Sequence, residues 1–415
     1  MGCCDVKGLI PLQDALNKLQ ESVSNNCEVI SLPLSSALGY ALAVDIKSPL
    51  NVPPFNNSAM DGYALNVVDL ENCSSEQPIS LALVGKSFAG APYNGDLAKG
   101  ECIRIMTGAV VPSCVDTVVM QERIIVTDDQ ITFSQIPKQN DNVRFSGEDL
   151  TKGEVVLEKG HKLTPRDIPL IASLGLADIQ VYRKLKVAVI SSGDELKSLG
   201  EPLRECDIYD SNRYAIIALL SRLNVDIIDC GIVADDLALI RETIKKADQD
   251  ADVVITSGGV SVGEADFIKD VLNELGEIGF WKLAIKPGKP FAFGKLPNSV
   301  FFGLPGNPVS AMVTLYQLAV PAMIKMGGAT VKPAIRFDAM VDHNLKKSAG
   351  RTDFQRGNYT VNNAGQLTVT STGHQGSGVF SSMSRSNCFI VLEQERSNIE
   401  AGETVTIEPY SHLMD

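Results

Sequence analysis

The chain has 415 residues, too many for one ordinary hydrophobic core, so we expect two to four domains. Its net charge is −13, with 50 acidic residues against 37 Lys and Arg. Because duplex binding depends on many Lys and Arg contacts to phosphates, this balance argues against a nonspecific nucleic-acid surface.

The first half of the chain predicts one helix followed by β-rich segments. Apolar residues recur at helical spacing between residues 9 and 23, which indicates an amphipathic helix. Residues 28–52 are interrupted by prolines and a glycine, and VPPFNNS then breaks regular structure. Residues 60–143 alternate short apolar runs with turns, so they predict a small β-domain. A helix is expected from Pro165 to Leu174, capped by Thr164.

After Lys184 the pattern changes to apolar strands that alternate with helices, from KVAVISS to a helix that begins at Pro308. This alternation predicts a buried, largely parallel sheet with helices on both faces. Ligands of such sheets bind beyond the carboxyl ends of the strands. From about residue 331 strands and turns return, so we expect a C-terminal β-domain.

The cysteines and the termini bear on the compartment. Nine cysteines form an odd set without C-x-x-C spacing, which favours buried thiols in a reducing compartment over a disulfide framework. No secretory leader and no apolar run of about 18 residues is visible, so neither export nor a membrane span is predicted. The opening Met-Gly-Cys-Cys resembles a lipidation signal, but Val6 stands where myristoylation requires Ser or Thr. We therefore expect a cytoplasmic protein.

Residues 278–337 contain seven basic residues and no Asp or Glu, in a chain that is otherwise strongly acidic. The run AIKPGKP places Lys286 and Lys289 on either side of a Pro-Gly turn, and GLPGNPVSA begins a helix at Pro308. Two ammonium groups beside free helix N–H groups suit a tetrahedral dianion. A solvated basic face is the alternative, although the neighbouring phenylalanines indicate a mostly buried setting.

Three strand ends deliver pairs of carboxylates into loops. These are Asp194 with Glu195, Asp235 with Asp236, and Glu264 with Asp266. The strand-end rule puts the loops along one edge of the sheet, where like charges require a cation, shared protons or distance. Oxygen ligands without His or Cys favour magnesium over zinc. Alternatively, several of these acids are helix caps or first-turn residues that the helix dipole stabilises.

TSGGVSVGEAD is a glycine-rich turn between a strand and a helix, where backbone N–H groups can hold an anion. It is neither a Walker loop nor a dinucleotide fingerprint. The residues that would approach a ligand are Ser257, Gly258, Gly259, Ser261 and Gly263. A turn that merely needs positive φ explains the glycines about as well.

Two further motifs, PFNNSAMDGYA with Asp61 and RIMTGA with Thr107, are ordinary loops on physical grounds alone. Together with SSGDEL, TSGGVSVGEAD, KPGKP and GLPGNPVSA, in this order and spacing, they closely resemble the molybdopterin molybdenumtransferases. These are bacterial enzymes related to the E domain of gephyrin. The resemblance runs from about residue 7 to 410.

The resemblance implies a multidomain α/β plus β fold. Its parts are a three-layer α/β catalytic domain with a parallel-rich sheet, a small β-domain, an elongated discontinuous linking domain and a C-terminal β-barrel-like domain. The implied ranges are 1–26 for a helix packed on the α/β domain, 27–52 and 144–179 for the linking domain, 53–143 for the β-domain, 180–328 for the α/β domain and 329–415 for the C-terminal domain.

The implied reaction takes adenylylated molybdopterin and molybdate, cleaves the pyrophosphate with magnesium, releases AMP and leaves molybdenum on the dithiolene sulfurs. Family members form elongated homodimers, and each active site lies between the α/β domain of one subunit and the SAMDGYA-bearing domain of the other. This arrangement would give Asp61 a role in trans. Other proteins of molybdenum cofactor biosynthesis are candidate partners, and neither nucleic acid nor a membrane is expected.

The resemblance also assigns residues. As a hypothesis, Glu195, Asp235 and Asp266 hold or position Mg2+ and the hydrolytic water. Further catalytic positions match Asp61, Thr107 and Asp149. The pterin nucleotide is expected on the Ser257–Gly263 turn, with Lys282 in the same site and the GLPGNP loop held rigid by Pro305 and Pro308. Molybdate is assigned to Lys286, Lys289, Pro290, Ser310, Arg351 and Ser377, and GRTDFQRG offers Arg356 as an alternative to Arg351.

Three other functions fit parts of the sequence. A molybdopterin adenylyltransferase-like enzyme shares the α/β domain but would not need the additional domains. A nucleotide amidohydrolase of the competence-damage type lacks the SAMDGYA region. A gephyrin-like scaffold or binding protein carries a second enzymatic domain and a long linker, which are not found in this sequence.

Overall fold

A computed structural model of the chain describes residues 8–258 and 267–414. The α-helices in these ranges are α1 (Leu12–Ser22), α2 (Asp167–Ser173), α3 (Ser211–Leu223), α4 (Leu237–Asp250), α5 (Phe267–Leu275), α6 (Pro308–Thr314), α7 (Val320–Met326) and α8 (Ser381–Ser384). A π-helical segment, Leu315–Ala319, joins α6 to α7. Short 3-10 helices cover Leu34–Ser36, Val67–Leu70 and Gln121–Arg123.

The β-strands are numbered in chain order. They are β1 (Val29–Pro33), β2 (Ile46–Lys47), β3 (Asn57–Ser58), β4 (Gly62–Leu65), β5 (Ile79–Ser87), β6 (Glu101–Ile105), β7 (Thr117–Met120), β8 (Ile124–Thr127), β9 (Gln130–Phe133), β10 (Val143–Arg144), β11 (Val155–Leu157), β12 (Asp178–Tyr182), β13 (Lys186–Ser192), β14 (Leu196–Lys197), β15 (Ile208–Tyr209), β16 (Asp226–Val233), β17 (Val253–Ser257), β18 (Glu277–Lys282), β19 (Ile285–Lys286), β20 (Pro290–Lys295), β21 (Val300–Leu304), β22 (Phe337–Val341), β23 (Thr352–Val361), β24 (Leu367–Ser371), β25 (Cys388–Leu392) and β26 (Thr404–Pro409).

The central sheet has the strand order β16-β13-β17-β21-β20-β18. Its first four strands are parallel and the last two are antiparallel. One core cluster joins the sheet to α4 and α5, and another joins its opposite face to α1, α3, α6 and α7. Strands buried on both faces explain the continuous apolar runs in the sequence. The predicted three-layer α/β domain with a parallel-rich sheet is therefore confirmed.

Helices α6 and α7 and the π-helical segment form one helix of 19 residues, Pro308–Met326. Its mean hydropathy of 1.3 makes it long and apolar enough to cross a membrane by length and composition alone. The expectation that no such run exists is therefore wrong, because Tyr316 and Gln317 interrupt the apolar letters without lowering the average enough. In the described chain, 78% of the most apolar 18-residue window of this helix is buried inside the protein, as in the core helix of a soluble protein.

Two segments far apart in sequence pair with each other in the region before the central sheet. Strand β1 pairs with β12, and β2 pairs with β11, both antiparallel. Beside them, a six-stranded sheet has the order β7-β4-β6-β5-β9-β8. Helix α2 begins at Asp167 and not at Pro165. The Thr164 hydroxyl group donates to the Asp167 carboxylate at 2.7 Å, so it is not the predicted cap. The domain boundaries given above stay predictions.

The C-terminal strands close into a five-stranded barrel. Strand β22 pairs with β24 and β26, β23 pairs with β24 and β25, and β25 pairs with β26. The predicted barrel-like domain is thus confirmed. Strand β19, which belongs to the KPGKP region, adds to β23 in parallel and puts Lys286 opposite Asp353. The barrel is therefore joined to the α/β domain by backbone pairing.

Candidate active site

Carboxylates from two neighbouring strand ends lie together. Asp194 and Glu195 follow β13, and Asp235 follows the adjacent strand β16. The Asp235 N–H donates to Asp194 Oδ1 at 3.1 Å. Burial, and then the charges of Asp194 and Glu195, raise the pKa of Asp235. We call Asp194, Glu195 and Asp235 the acidic rim, and its like charges create a demand for a cation.

The described residues do not complete the predicted metal site, so the metal hypothesis stays a prediction. Asp236 caps α4, since its Oδ1 accepts from the N–H groups of Ala238 and Leu239 at 2.9 Å. For this carboxylate the helix-cap alternative holds. Within residues 8–258 and 267–414, no group of three or more His, Cys, Asp or Glu side chains is arranged to hold a metal ion. Asp266, the third predicted ligand, lies outside the described residues.

The beginning of the glycine-rich turn follows β17 at the same edge of the sheet. Gly258 has a φ of +95°, and a Cβ atom there would lie 3.0 Å from the Ser192 carbonyl oxygen. A side chain at this position would be strained and crowded, so glycine is required. Ser257 is buried, and the Gly258 N–H donates to the Leu304 carbonyl at 3.1 Å. Gly259, Ser261 and Gly263 lie outside the described residues.

Asn212, in the first turn of α3, connects two predicted loops. Its Nδ2 atom donates to Ser257 Oγ at 2.9 Å and to the Gly306 carbonyl oxygen at 2.7 Å. The helix start that carries it is firmly held, because Asp210 caps α3 and pairs with the buried Arg213 at 2.8 Å. Sequence reasoning missed Asn212. The available signal was a polar residue with two amide hydrogens at a helix start, on the strand-end side of the sheet.

The GLPGNP loop leads from β21 into α6. Pro305 is buried, and Pro308 occupies the first turn of α6. The Val309 N–H, next to Ser310, donates to the carbonyl oxygen of Ser377 at 3.0 Å. The turn of the barrel that carries Ser377 therefore contacts the start of α6. This backbone contact links Ser377 to the neighbour of Ser310, although the two predicted molybdate residues are 67 positions apart in sequence.

The KPGKP turn packs against the same helix. A Cβ atom on Gly288 would lie 2.7 Å from Thr314 Cγ2 of α6, which shows how closely the turn approaches. Lys286 Nζ lies 3.1 Å from Asp353 Oδ2, and Lys289 is exposed. Pro290 begins β20 opposite Lys282, whose side chain is exposed and whose carbonyl accepts from the Ile10 N–H at 2.8 Å.

Arg351 and Arg356 have different surroundings. Arg351 directly precedes β23, whose first residue Thr352 pairs with Ile285, so Arg351 lies next to the lysine-bearing turn. Arg356 is fully buried, and its guanidinium group donates to Ser382 Oγ at 3.0 Å and to the Gly376 carbonyl at 3.2 Å. Arg356 therefore holds the Ser377 turn from inside. We use the name oxyanion pocket for five of the predicted molybdate residues, and their shared role stays a prediction: Lys286, Lys289, Ser310, Arg351 and Ser377.

Asp61 and Thr107 face each other in the β-domain. Asp61 Oδ1 accepts from both the N–H and the hydroxyl group of Thr107. These bonds, together with the more distant charge of Arg104, lower the pKa of Asp61. The hydrogen bonds that Asp61 and Thr107 make within the described chain stay in this domain. Asp149 is exposed, and its backbone N–H donates to the Val52 carbonyl oxygen at 3.0 Å.

Comparison with known proteins gives a consistent result along the chain. The family model "MoeA N-terminal region (domain I and II)" matches residues 10–175, "Probable molybdopterin binding domain" matches 188–325 and "MoeA C-terminal region (domain IV)" matches 339–410. A molybdopterin molybdenumtransferase of Haemophilus influenzae is 51% identical over 408 residues, which are 98% of this chain and 100% of that protein. One from Nostoc sp. is 34% identical and covers 90% of this chain and 87% of its own length.

A solved structure supports the same assignment. The molybdopterin biosynthesis moeA protein from Pyrococcus horikoshii OT3 matches with a TM-score of 0.85 at 30% identity, over 97% of this chain and 100% of that chain. The similarity includes the N-terminal and C-terminal regions as well as the α/β domain. The chain therefore belongs to the molybdopterin molybdenumtransferase family.

Proposed function

We propose that this chain is a transferase that inserts molybdenum into molybdopterin, using adenylylated molybdopterin and molybdate and releasing AMP. The strongest support is that the acidic rim, after β13 and β16, and the start of α6 in the oxyanion pocket, after β21, lie at the same edge of one sheet. A pyrophosphate-linked substrate needs a cation, and a metal oxyanion needs positive charge. The names of the curated relatives support the same reaction.

Glu195 and Asp235 are the proposed Mg2+ ligands in the described chain, with Asp266 as the third. Bound Mg2+ would supply charge neutralisation at the pyrophosphate. The raised pKa of Asp235 supports this assignment, because a bound cation would stabilise the ionised carboxylate against its burial and against the charges of Asp194 and Glu195. The protein's own contribution is to hold these carboxylates at adjacent strand ends before the substrate binds.

Molybdate is proposed to bind in the oxyanion pocket. Lys286, Lys289 and Arg351 neutralise its charge, and Ser310 and Ser377 lie where α6 meets the barrel turn. Pro290 starts the strand behind the turn. The pterin nucleotide is proposed to lie along the glycine-rich turn with Lys282 nearby, where Asn212 ties Ser257 to the loop of Pro305 and Pro308.

Homodimers are proposed to complete the site, with Asp61, Thr107 and Asp149 contributed by the second subunit. The family resemblance supports a contribution in trans, and the bonds that Asp61 and Thr107 make within their own domain would fix the carboxylate that is contributed. Mixing Asp61→Asn with Lys286→Ala subunits tests this, because a mixed dimer would contain one intact site. Regained AMP release is expected. Two inactive variants that stay inactive after subunit exchange would contradict the shared site.

A cytoplasmic location and contacts with other proteins of molybdenum cofactor biosynthesis are part of the same proposal. The cysteines in the described ranges are free thiols, which supports a reducing compartment.

The direct test uses purified protein, adenylylated molybdopterin, molybdate and magnesium, and measures AMP. We expect AMP release that requires molybdate and stops when magnesium is chelated. Absence of molybdate-stimulated AMP would refute the proposal. Formation of adenylylated molybdopterin from ATP would instead identify an adenylyltransferase.

A further inference from the structure

Asp353 is a buried carboxylate that contacts Lys286, one of the residues of the oxyanion pocket. It lies on β23 and is 2% exposed, while the Lys286 side chain that it contacts is 42% exposed. Asp353 Oδ2 accepts from Lys286 Nζ at 3.1 Å and from Gln355 Nε2 at 3.3 Å. Strands β19 and β23 pair in a register that puts Lys286 opposite Asp353, so the contact follows from the backbone pairing.

A buried negative charge next to an oxyanion site is unfavourable unless another cation balances it. Lys347 supplies that balance. It is 5% exposed, its Nζ donates to the Arg396 carbonyl at 2.8 Å, and its charge interacts with those of Asp353, Glu393 and Glu395. Asp353 therefore pairs directly with Lys286, while Lys347 acts on Asp353 through its charge.

We propose that Asp353, balanced by Lys347, is a positioning residue that fixes the Lys286 ammonium group in the oxyanion pocket. This inference rests on the proposed function, since it assigns Lys286 to molybdate. An ammonium group has three hydrogens, so one bond to Asp353 leaves two for an oxyanion. A lysine that is already held loses less conformational freedom when the anion binds.

The barrel therefore contributes to this site in two ways. Besides contributing Arg351 and Ser377, it sets the direction of a lysine that belongs to the α/β region of the chain. A purely structural ion pair would instead stabilise the junction between β19 and β23 without affecting anion affinity.

A double-mutant cycle on the full chain distinguishes these roles, with molybdate binding measured by titration calorimetry. We expect Asp353→Asn to weaken molybdate binding about tenfold, the order expected for a charge-assisted hydrogen bond. In the Lys286→Ala background the same change should have no further effect, because Asp353 acts through Lys286. Unchanged affinity in Asp353→Asn, or an equal loss in both backgrounds, would overturn the inference.

Removal of Asp353 alone takes away one of the negative charges that act on the buried Lys347, and this can impair folding. The combined variant Asp353→Asn with Lys347→Met removes both charges and should show the same loss of affinity. Asp338→Asn, an exposed carboxylate on β22 of the same barrel, is the control and should bind molybdate like the wild type. If the wild type binds no molybdate, the proposed function fails as well. If the wild type binds molybdate and the Asp353 variants bind it with the same affinity, only this inference fails.

Discussion

Asp61 Oδ1 accepts two hydrogen bonds from Thr107, one from the backbone N–H and one from the hydroxyl group, both at 2.7 Å. These two bonds are the main reason that the pKa of Asp61 is lowered, so the carboxylate stays ionised at lower pH than an ordinary aspartate. Asp61, which the sequence alone places in an ordinary loop, is therefore held in the structure as an ionised carboxylate.

Thr107→Val removes the hydroxyl donor and keeps the backbone N–H and the side-chain shape. We expect the pKa of Asp61 to rise toward its ordinary value, because its ionised form loses one of two donors. The carboxyl carbon of Asp61, followed by NMR during a pH titration, should then titrate at higher pH. Thr132→Val, on β9 of the same sheet, is the control and should leave that titration unchanged. An unaltered Asp61 curve in Thr107→Val would contradict the prediction.

Asn212→Ala should loosen the connection between the glycine-rich turn and the GLPGNP loop. Loss of two side-chain hydrogen bonds is expected to cost about 1–3 kcal/mol of unfolding free energy. We also expect weaker binding of AMP, measured by calorimetry. Asn66→Ala removes an amide that donates to the Cys114 carbonyl at 2.8 Å in the β-domain, and it should lower stability without changing AMP affinity. Equal AMP affinities in both variants would show that Asn212 has only a structural role.

Asp235→Asn is expected to stabilise the protein in the absence of divalent cations. Because the folded state raises the pKa of Asp235, ionisation of this residue costs stability above that pKa, and the cost disappears as the pH falls through it. The gain in Tm should therefore be present at neutral pH and lost below about pH 4. Added Mg2+ should raise the Tm of the wild type more than that of the variant.

Asp236 provides a matched comparison one residue away. Asp236→Ala removes the cap of α4 and is expected to cost about 1 kcal/mol at neutral pH. At neutral pH without divalent cations, Asp235→Asn should therefore raise the stability of the protein, and Asp236→Ala should lower it. A loss of stability in Asp235→Asn would show that the acidic rim is not under electrostatic strain.

The local parts of the fold were predictable from sequence because they depend on short-range patterns. Helix α3, with the sequence SNRYAIIALLSRL, is one of the helices in the alternation predicted after Lys184. A capping aspartate precedes its apolar periodic run, and an asparagine in the left-handed region ends it. The strands of the central sheet were recognisable because burial on both faces requires continuous apolar runs. Helix starts were less certain, as α2 illustrates.

Contacts between distant strands could not be predicted. The pairing of Lys286 with Asp353 depends on the register of β19 against β23, which no local pattern specifies. For the same reason, the choice between Arg351 and Arg356 stayed open in the sequence, since both belong to the short run GRTDFQRG. Asn212 was missed because its role is to bridge two loops that come together only in the folded chain.

Arg351 and Arg356 should therefore respond differently to the same substitution. Arg356→Ala leaves a cavity and removes the donors for Ser382 and Gly376, so we expect a loss of more than about 3 kcal/mol in denaturant unfolding. Arg351→Ala should change stability by less than about 1 kcal/mol but weaken molybdate binding, because it removes a charge from the oxyanion pocket. Arg351→Lys, which keeps the charge, should retain part of that affinity. If Arg351→Ala binds molybdate like the wild type, Arg351 does not belong to the oxyanion pocket. The positive charge of the pocket must then come from Lys286 and Lys289 alone.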